Sequence, residues 1–177
     1  MLPYLLAMTI PVSVIALLFA RMEYRKYGKL TIVGLLLLCA MLIMPNFVLD
    51  FATRYEMPGT ILDYIGVAVG LFGLILCGWG IATFRSFPKM LCLDAGELTV
   101  SGTYRWSRNP QYIGWLLFLT GFALNDWSLW CLAAIVVVAV SLHLLVLIEE
   151  EHLRREFGQQ YVEFCDRVPR YFPLPRI

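Results

Sequence analysis

Five apolar segments alternate with polar segments along the chain, and this alternation is the main structural signal. A transmembrane helix needs about 20 apolar residues, and four of the segments approach or exceed that length. The fourth has 14 residues and extends only about 21 Å at 1.5 Å per residue. Backbone groups inside a bilayer must bond within the protein, so each segment predicts a helix. The segments are Leu2–Ala20, Leu30–Leu49, Ile61–Phe84, Gln111–Leu124 and Trp127–Ile148.

The basic residues show how many of these helices cross. Arg54 is the only base between the second and third segments, and the turn at Asn125 and Asp126 contains none. With five crossings, 13 of the 14 bases fall on one side, which is typically cytoplasmic. The sequence therefore predicts an all-α polytopic membrane protein with five transmembrane helices. Its N-terminus is expected outside and its C-terminus in the cytoplasm.

Composition supports a membrane protein. Of 177 residues, 60% are hydrophobic and only 15% are charged, and the mean hydropathy is +0.73. These values exclude a soluble enzyme and a nucleic-acid-binding protein with a basic face. We expect one membrane domain over residues 1–177, with two spans in 1–60 and three spans plus a cytoplasmic tail in 61–177. The five cysteines form no metal-binding pattern, so no metal is expected.

A first polar cluster precedes the fourth apolar segment. Asn109 and Pro110 are typical of a helix N-cap followed by the first helical residue. The free N–H groups of that helix end attract anions, and Arg108 adds a full positive charge. The sequence predicts either an anion site here or a capped helix whose arginine reaches lipid headgroups.

A second polar cluster ends the fifth segment. Glu149, Glu150 and Glu151 are adjacent, so helical geometry points them about 100° apart. Acidic residues oppose the dipole at a helix C-terminus. We expect at least one to face the first cluster and bind a cation; the alternative is a solvated helix end paired with Arg154 and Arg155. His143 precedes Glu150 by seven residues and lies on the same face of the predicted helix. It is interpreted either as a core histidine or as a residue that contacts a ligand.

Two further patterns concern packing. Gly66, Gly70 and Gly73 lie inside an apolar segment with no strand before them, so they predict close helix packing rather than a nucleotide loop. The tail has an amphipathic pattern that predicts a short C-terminal helix, with a break at Gly158. This helix is expected to lie on the membrane interface, a position that is compatible with its covering the first polar cluster. Its apolar positions are Leu153, Phe157, Tyr161, Phe164 and Val168.

An ordered set of motifs in the C-terminal half resembles the isoprenylcysteine carboxyl methyltransferase superfamily, to which phospholipid methyltransferases are similar. The first motif is Arg-Asn-Pro-Gln-Tyr-Ile-Gly at 108–114, followed by an apolar hairpin and the Glu149–Glu150 pair. Phe-Gly-x-x-Tyr-x-x-Phe at 157–164 and Val-Pro-Arg-Tyr-Phe-Pro at 168–173 complete the set. Together these motifs are specific, although each alone is weak.

The resemblance implies a membrane-embedded methyltransferase that uses S-adenosylmethionine without a Rossmann fold. It implies that the cofactor pocket is lined on one side by Arg108, Asn109, Pro110, Tyr112 and Gly114, with Glu149 and Glu150 opposite. It also implies that adenosine contacts the backbone of a segment that includes Leu98, Val100, Gly102 and Tyr104. Asn109 stands where the family usually has histidine, and asparagine cannot carry a proton.

The residue chemistry agrees with this implication. Arg108 and the helix end suit the carboxylate of the cofactor's amino-acid moiety, and a glutamate suits its ammonium. Methyl transfer is an in-line displacement that requires alignment and exclusion of water. An amine acceptor would need a base, for which Glu150 and His143 are candidates. Arg154 or Arg170 would orient an anionic acceptor.

Several alternatives stay open at this point. The acceptor could be a carboxylate, an amine or a thiol. The tail from Tyr161 to Tyr171 also resembles that of NADPH-dependent membrane sterol reductases, and a non-catalytic membrane subunit is the third interpretation. The expected partners are a lipophilic or lipidated substrate from the bilayer and membrane lipids, with no nucleic acid and no obligate protein partner. We expect an integral membrane protein whose site faces the cytoplasm, in the inner membrane if bacterial.

Overall fold

A computed structural model describes residues 2–52, 59–83, 98, 100–125 and 128–172. Within these ranges the protein is all-helical, and no described residue lies in a strand. The described helices are α1 (Leu2–Tyr27), α2 (Ile32–Ala52), α3 (Ile61–Thr83), α4 (Pro110–Asn125), α5 (Leu129–Phe157) and α6 (Gln159–Arg167), with a short 3-10 helix at Gly102–Arg105. Four of them, α1, α2, α3 and α5, are long and apolar enough to cross a membrane, and α4 is a shorter apolar helix.

Two of the long helices continue past their apolar runs into charged sequence. Helix α1 extends beyond Ala20 to Tyr27, and α5 extends beyond Ile148 to Phe157. Ion pairs one helical turn apart stabilise such extensions, and Glu151 pairs with Arg155 in α5. Gly158 then adopts a positive φ of 52° and separates α5 from α6. The charged C-terminal ends of α1 and α5 therefore extend beyond the apolar parts of these two helices.

Helices α3 and α4 pack closely through glycines. A Cβ atom added to Gly73 would lie 2.6 Å from the carbonyl oxygen of Gly114, and one added to Gly121 would lie 2.5 Å from that of Gly66. Any larger residue would collide with backbone at these positions. The prediction of close helix packing at Gly66, Gly70 and Gly73 is confirmed, and the contact fixes the start of α4 against α3.

The remaining helices form a core around α5. Small and aliphatic residues of α1 and α2 pack against Leu145, and a second cluster joins α2, α4 and α5 around Leu119 and Val138. Since α4 and α5 are connected by a short segment and run antiparallel, the first residues of α4 lie beside the last residues of α5. This arrangement brings the two predicted polar clusters together.

The C-terminal tail packs against the 3-10 helix and the end of α5. Tyr161 and Phe164 of α6, with Val168, form a buried cluster with Tyr104 of the 3-10 helix. Leu98, Leu153, Phe157 and Cys165 surround this cluster. The tail thus packs against the 3-10 helix that precedes the first polar cluster, and its position relative to a membrane stays a prediction.

Candidate active site

A buried ion-pair cluster occupies the junction of α4, α5 and the tail. Nη1 of Arg108 lies 3.0 Å from Oε1 of Glu150, and these side chains are only 10% and 8% exposed. Arg170 binds the same carboxylate through two hydrogen bonds, from Nε to Oε1 at 2.8 Å and from Nη2 to Oε2 at 2.7 Å. Glu150 is thus the carboxylate that faces the first polar cluster, and it binds two guanidinium groups.

This cluster has a surplus of positive charge. Two guanidinium groups and one carboxylate leave one net positive charge; Arg108 and Glu150 are largely buried, whereas Arg170 is 34% exposed. The hydrogen bond to Glu150 raises the pKa of Arg170, so the guanidinium stays charged at any relevant pH. A buried surplus charge is costly unless a counter-ion approaches. The junction is therefore suited to binding a carboxylate or another anion.

The tail is attached to the segment before α4 by its backbone. The carbonyl oxygen of Pro169 accepts a 3.0 Å hydrogen bond from the backbone N–H of Arg108. The carbonyl of Arg170 accepts bonds of 3.1 Å from the side chains of Ser107 and Asn109. Asn109 directly precedes α4, as predicted for the N-cap position, but its side-chain amide serves this contact with the tail. These bonds hold Arg170 over Glu150.

The other two carboxylates of the triplet point elsewhere, as their angular spacing requires. Oε1 of Glu149 accepts a 2.6 Å hydrogen bond from the hydroxyl of Tyr112 on α4. Glu151 faces α1 and pairs with Arg21 and Arg25. Glu149 and Glu150 both lie at the α4–α5 junction, whereas Glu151 lies outside it.

An apolar cavity of about 410 Å³ adjoins the junction between α4 and α5. Nδ1 of His143 lies 2.9 Å from the hydroxyl of Tyr171 at its wall. Tyr112, which binds Glu149, also lines the cavity, so the cavity and the ion-pair cluster are adjacent. The lining residues are Tyr112, Ile113, Leu116, Leu117, Thr120, Ala139, Leu142, His143, Tyr171 and Phe172.

The remaining predicted site residues are distributed around this junction. Pro110 begins α4 and is buried. The hydroxyl of Tyr104 donates a 2.7 Å hydrogen bond to Gln111, and Gly102 adopts a φ of 57° against Thr83. Leu98 packs on the tail cluster.

Three predicted residues have surroundings that differ from a pocket wall. Gly114 lies against the backbone of Cys77, where an added Cβ would be 2.5 Å from its nitrogen, so its contact here is with α3. Val100 is 48% exposed. Arg154 is exposed on α5, although its charge is near enough to act on Glu150.

Four residues of the site were not singled out as site residues by the sequence. Ser107 holds the tail, Tyr171 contacts His143, and Sγ of Cys165 accepts a 2.7 Å hydrogen bond from Nη1 of Arg108. Tyr161 is 1% exposed, and burial raises the pKa of its hydroxyl, which bonds with Arg108. The amphipathic pattern marked Tyr161 as buried, but nothing in the pattern identified its polar partner.

Known proteins resemble much of this region. The family model described as phospholipid methyltransferase matches residues 61–160. The protein-S-isoprenylcysteine O-methyltransferase of Xenopus laevis is 29% identical over 65% of this chain and 42% of its own length. Protein-S-isoprenylcysteine O-methyltransferase B of Arabidopsis thaliana is 32% identical over 64% of this chain and 60% of its own length.

A relative of the same name from Tribolium castaneum is 29% identical over 70% of this chain and 47% of its own length. The chain thus spans about half the length of these relatives. No solved structure gives a significant match. The match at 61–160 covers more than half of the chain and includes both polar clusters, Arg108 with Asn109 and Glu149 with Glu150. The chain therefore belongs to the phospholipid methyltransferase family.

Proposed function

We propose that this protein is an integral membrane methyltransferase that transfers the methyl group of S-adenosylmethionine to a lipophilic acceptor. The observation that supports this most is the position of the buried cluster of Arg108, Glu150 and Arg170 directly beside an apolar cavity. The names of the relatives point to the same activity.

The residues at the junction fit the amino-acid end of S-adenosylmethionine. Nε of Arg108 is buried and has no hydrogen-bond partner among the described residues. Together with the surplus charge, this free donor suits a carboxylate. Both oxygens of Glu150 already bind arginines, so Glu149 is the better candidate for the ammonium group. When bound, the cofactor supplies an electrophilic methyl group on its sulfonium centre.

The protein's own contribution is alignment and exclusion of water. Glu150 fixes the two arginines and Tyr112 fixes Glu149, so the charged groups need little reorganisation when ligands bind. The tail covers the junction and keeps water from the transfer site. Glu150 is less suited to accept a proton from the acceptor than His143, because its lone pairs are engaged by Arg108 and Arg170.

The proposed acceptor is a lipophilic molecule with a carboxylate. The relatives are named for O-methyl transfer to isoprenylcysteine, and Arg170, which is 34% exposed, is open to contact with an anionic acceptor. A carboxylate also needs no base before it attacks a methyl group. The cavity between α4 and α5 is proposed to hold the apolar part of the acceptor, with Arg170 orienting its charged end and Arg154 attracting it.

The proposed topology has five crossings with the N-terminus outside, so the junction faces the cytoplasm. Helix α4 has 16 residues and extends about 24 Å at 1.5 Å per residue, less than the roughly 30 Å of a hydrocarbon core. A short α4 places its N-terminus below the membrane surface, where surrounding protein satisfies the polar backbone. The cofactor would enter from water and the acceptor from lipid.

Calorimetric binding of S-adenosylmethionine tests the site. Arg108→Ala and Glu150→Ala are each expected to weaken binding at least about tenfold, because each breaks the buried cluster. Arg167→Ala is the matched control, since Arg167 is exposed on α6 and, among the described residues, bonds to a backbone carbonyl alone. Wild-type affinity in both cluster variants, with intact folding by circular dichroism, would contradict the assignment.

Incubation with radiolabelled S-adenosylmethionine and a host membrane extract tests the reaction. Label that mild base releases indicates an ester and supports a carboxylate acceptor. Base-stable label would exclude the carboxylate and indicate an amine or thioether. Retention of NADPH after purification, without binding of S-adenosylmethionine, would exclude the methyltransferase itself.

A further inference from the structure

A second charged cluster lies at the end of α1, outside the candidate active site. Nη2 of Arg25 is 2.7 Å and Nε of Arg21 is 3.4 Å from the carboxylate of Glu151, and Arg155 pairs with the same group. Three guanidinium groups and one carboxylate leave two surplus positive charges. Lys26 is exposed beside them. The arginines are about half exposed, so this surplus is available to a ligand.

The depth of this cluster follows from the length of α1. Leu2–Ala20 contains 19 residues without a charge and extends about 28 Å, close to the 30 Å or so of a hydrocarbon core. The following turns, from Arg21 to Lys26, therefore lie at the level of the lipid headgroups. Glu151 is at the same end of the bundle as the Glu150 cluster.

A shallow, open groove of about 460 Å³ on this part of α1 is lined by both apolar and basic side chains. Leu18 and Met22 supply apolar surface and are 64% and 48% exposed, while Arg21, Arg25 and Lys26 supply the charge. A soluble anion would contact the bases alone. A phospholipid would use both kinds of surface, with its phosphate on the guanidinium groups and its acyl chain along Leu18 and Met22.

We propose that this groove binds the phosphate headgroup of an anionic phospholipid. Arginine binds phosphate through two parallel hydrogen bonds, and bases at the membrane surface attract anionic lipids. The single negative charge of the phosphodiester neutralises part of the positive charge that Glu151 leaves unbalanced. The site is separate from the proposed methyl-transfer junction and does not depend on its function.

Native mass spectrometry of the purified full chain tests this site. Dioleoylphosphatidylglycerol is expected to bind at least about tenfold more tightly than dioleoylphosphatidylcholine. Arg21→Gln combined with Lys26→Gln is expected to weaken phosphatidylglycerol binding about 30-fold. This double variant leaves the pairs of Arg25 and Arg155 with Glu151. The matched control, Arg105→Gln with Arg167→Gln, removes two exposed bases elsewhere and is expected to have little effect.

Four outcomes would overturn the proposal: equal binding of the two lipids, unchanged binding in the Arg21 and Lys26 variant, an equal loss in the control, or displacement of the lipid by excess inorganic phosphate. The last outcome would mean that the groove binds phosphate without the lipid. Unfolding midpoints measured in neutral detergent separate lost binding from misfolding. No methyl donor is present, so the result is independent of the proposed enzymatic activity.

Discussion

At the scale of single residues, the direction in which each side chain points from the axis of α5 determines which partners each of the three glutamates binds. Three adjacent carboxylates contact three different surroundings: Tyr112 for Glu149, two arginines for Glu150, and the basic end of α1 for Glu151. A rotation of one residue would exchange these partners. The protein therefore requires the α5 helix to hold its rotational position, which the packing of Leu145 in the core favours.

Arg170→Lys tests whether planar two-point binding matters in this cluster. Lysine keeps the charge but offers a point contact in place of two parallel hydrogen bonds. We expect methyl transfer to fall about tenfold or more, with folding retained. Arg167→Lys is the control on the exposed side of α6. Activity within twofold of the wild type would show that charge alone is sufficient at Arg170.

At the scale of helices, close contact between α3 and α4 holds in place the N-terminal end of α4, which forms one side of the candidate site. Gly114→Ala would bring a Cβ to 2.5 Å from the backbone nitrogen of Cys77, and backbone cannot move aside cheaply. Overpacking of this kind destabilises by about 1–3 kcal/mol. Thermal unfolding in detergent should show a lowered midpoint. Gly78→Ala, which meets nothing within 4 Å, should leave the midpoint unchanged, and equal effects would refute the close contact.

The docking of α6 predicts a dependence on pH. Burial raises the pKa of the Tyr161 hydroxyl above its ordinary value of about 10, so the folded state favours the neutral phenol. The contribution of Tyr161 to the free energy of unfolding is thus constant below about pH 10 and falls as the pH rises toward the folded-state pKa. Unfolding midpoints between pH 9 and 11 should fall more steeply for the wild type than for Tyr161→Phe. Tyr4→Phe, at a residue 77% exposed, should retain the wild-type slope.

At the scale of the whole molecule, S-adenosylmethionine and the apolar part of the acceptor are proposed to occupy different parts of the site. The cavity between α4 and α5 is apolar, and the arginine cluster is charged. Ala139→Phe would fill the cavity without touching the cluster. The KM for the acceptor should rise at least about tenfold while the affinity for S-adenosylmethionine stays unchanged. Val136→Phe, at a 51% exposed position of the same helix, should change neither, and an equal effect of both variants would exclude this assignment.

The sequence predicted the helices and the meeting of the polar clusters because both depend on composition and period. Long apolar runs specify spans, and an N-cap opposite an acidic helix end predicts a charged junction. The contacts of the tail could not be predicted in this way. Carbonyl groups of Pro169 and Arg170 bind Arg108, Ser107 and Asn109, and a backbone acceptor has no residue signature. The bond between Arg108 and Cys165 likewise joins positions 57 residues apart.

The attachment of Arg170 to Glu150 also bears on how the protein is made. Arg108 and Glu150 become neighbours once the α4–α5 hairpin has inserted, but the second arginine is synthesised 20 residues after the carboxylate. Until the ribosome has released the tail, Glu150 lacks its second arginine, and Ser107 and Asn109 lack the Arg170 carbonyl that they bind. Completion of the cluster is therefore expected only after the tail has been synthesised, and a chain stalled shortly after α5 would hold Arg108 and Glu150 without Arg170.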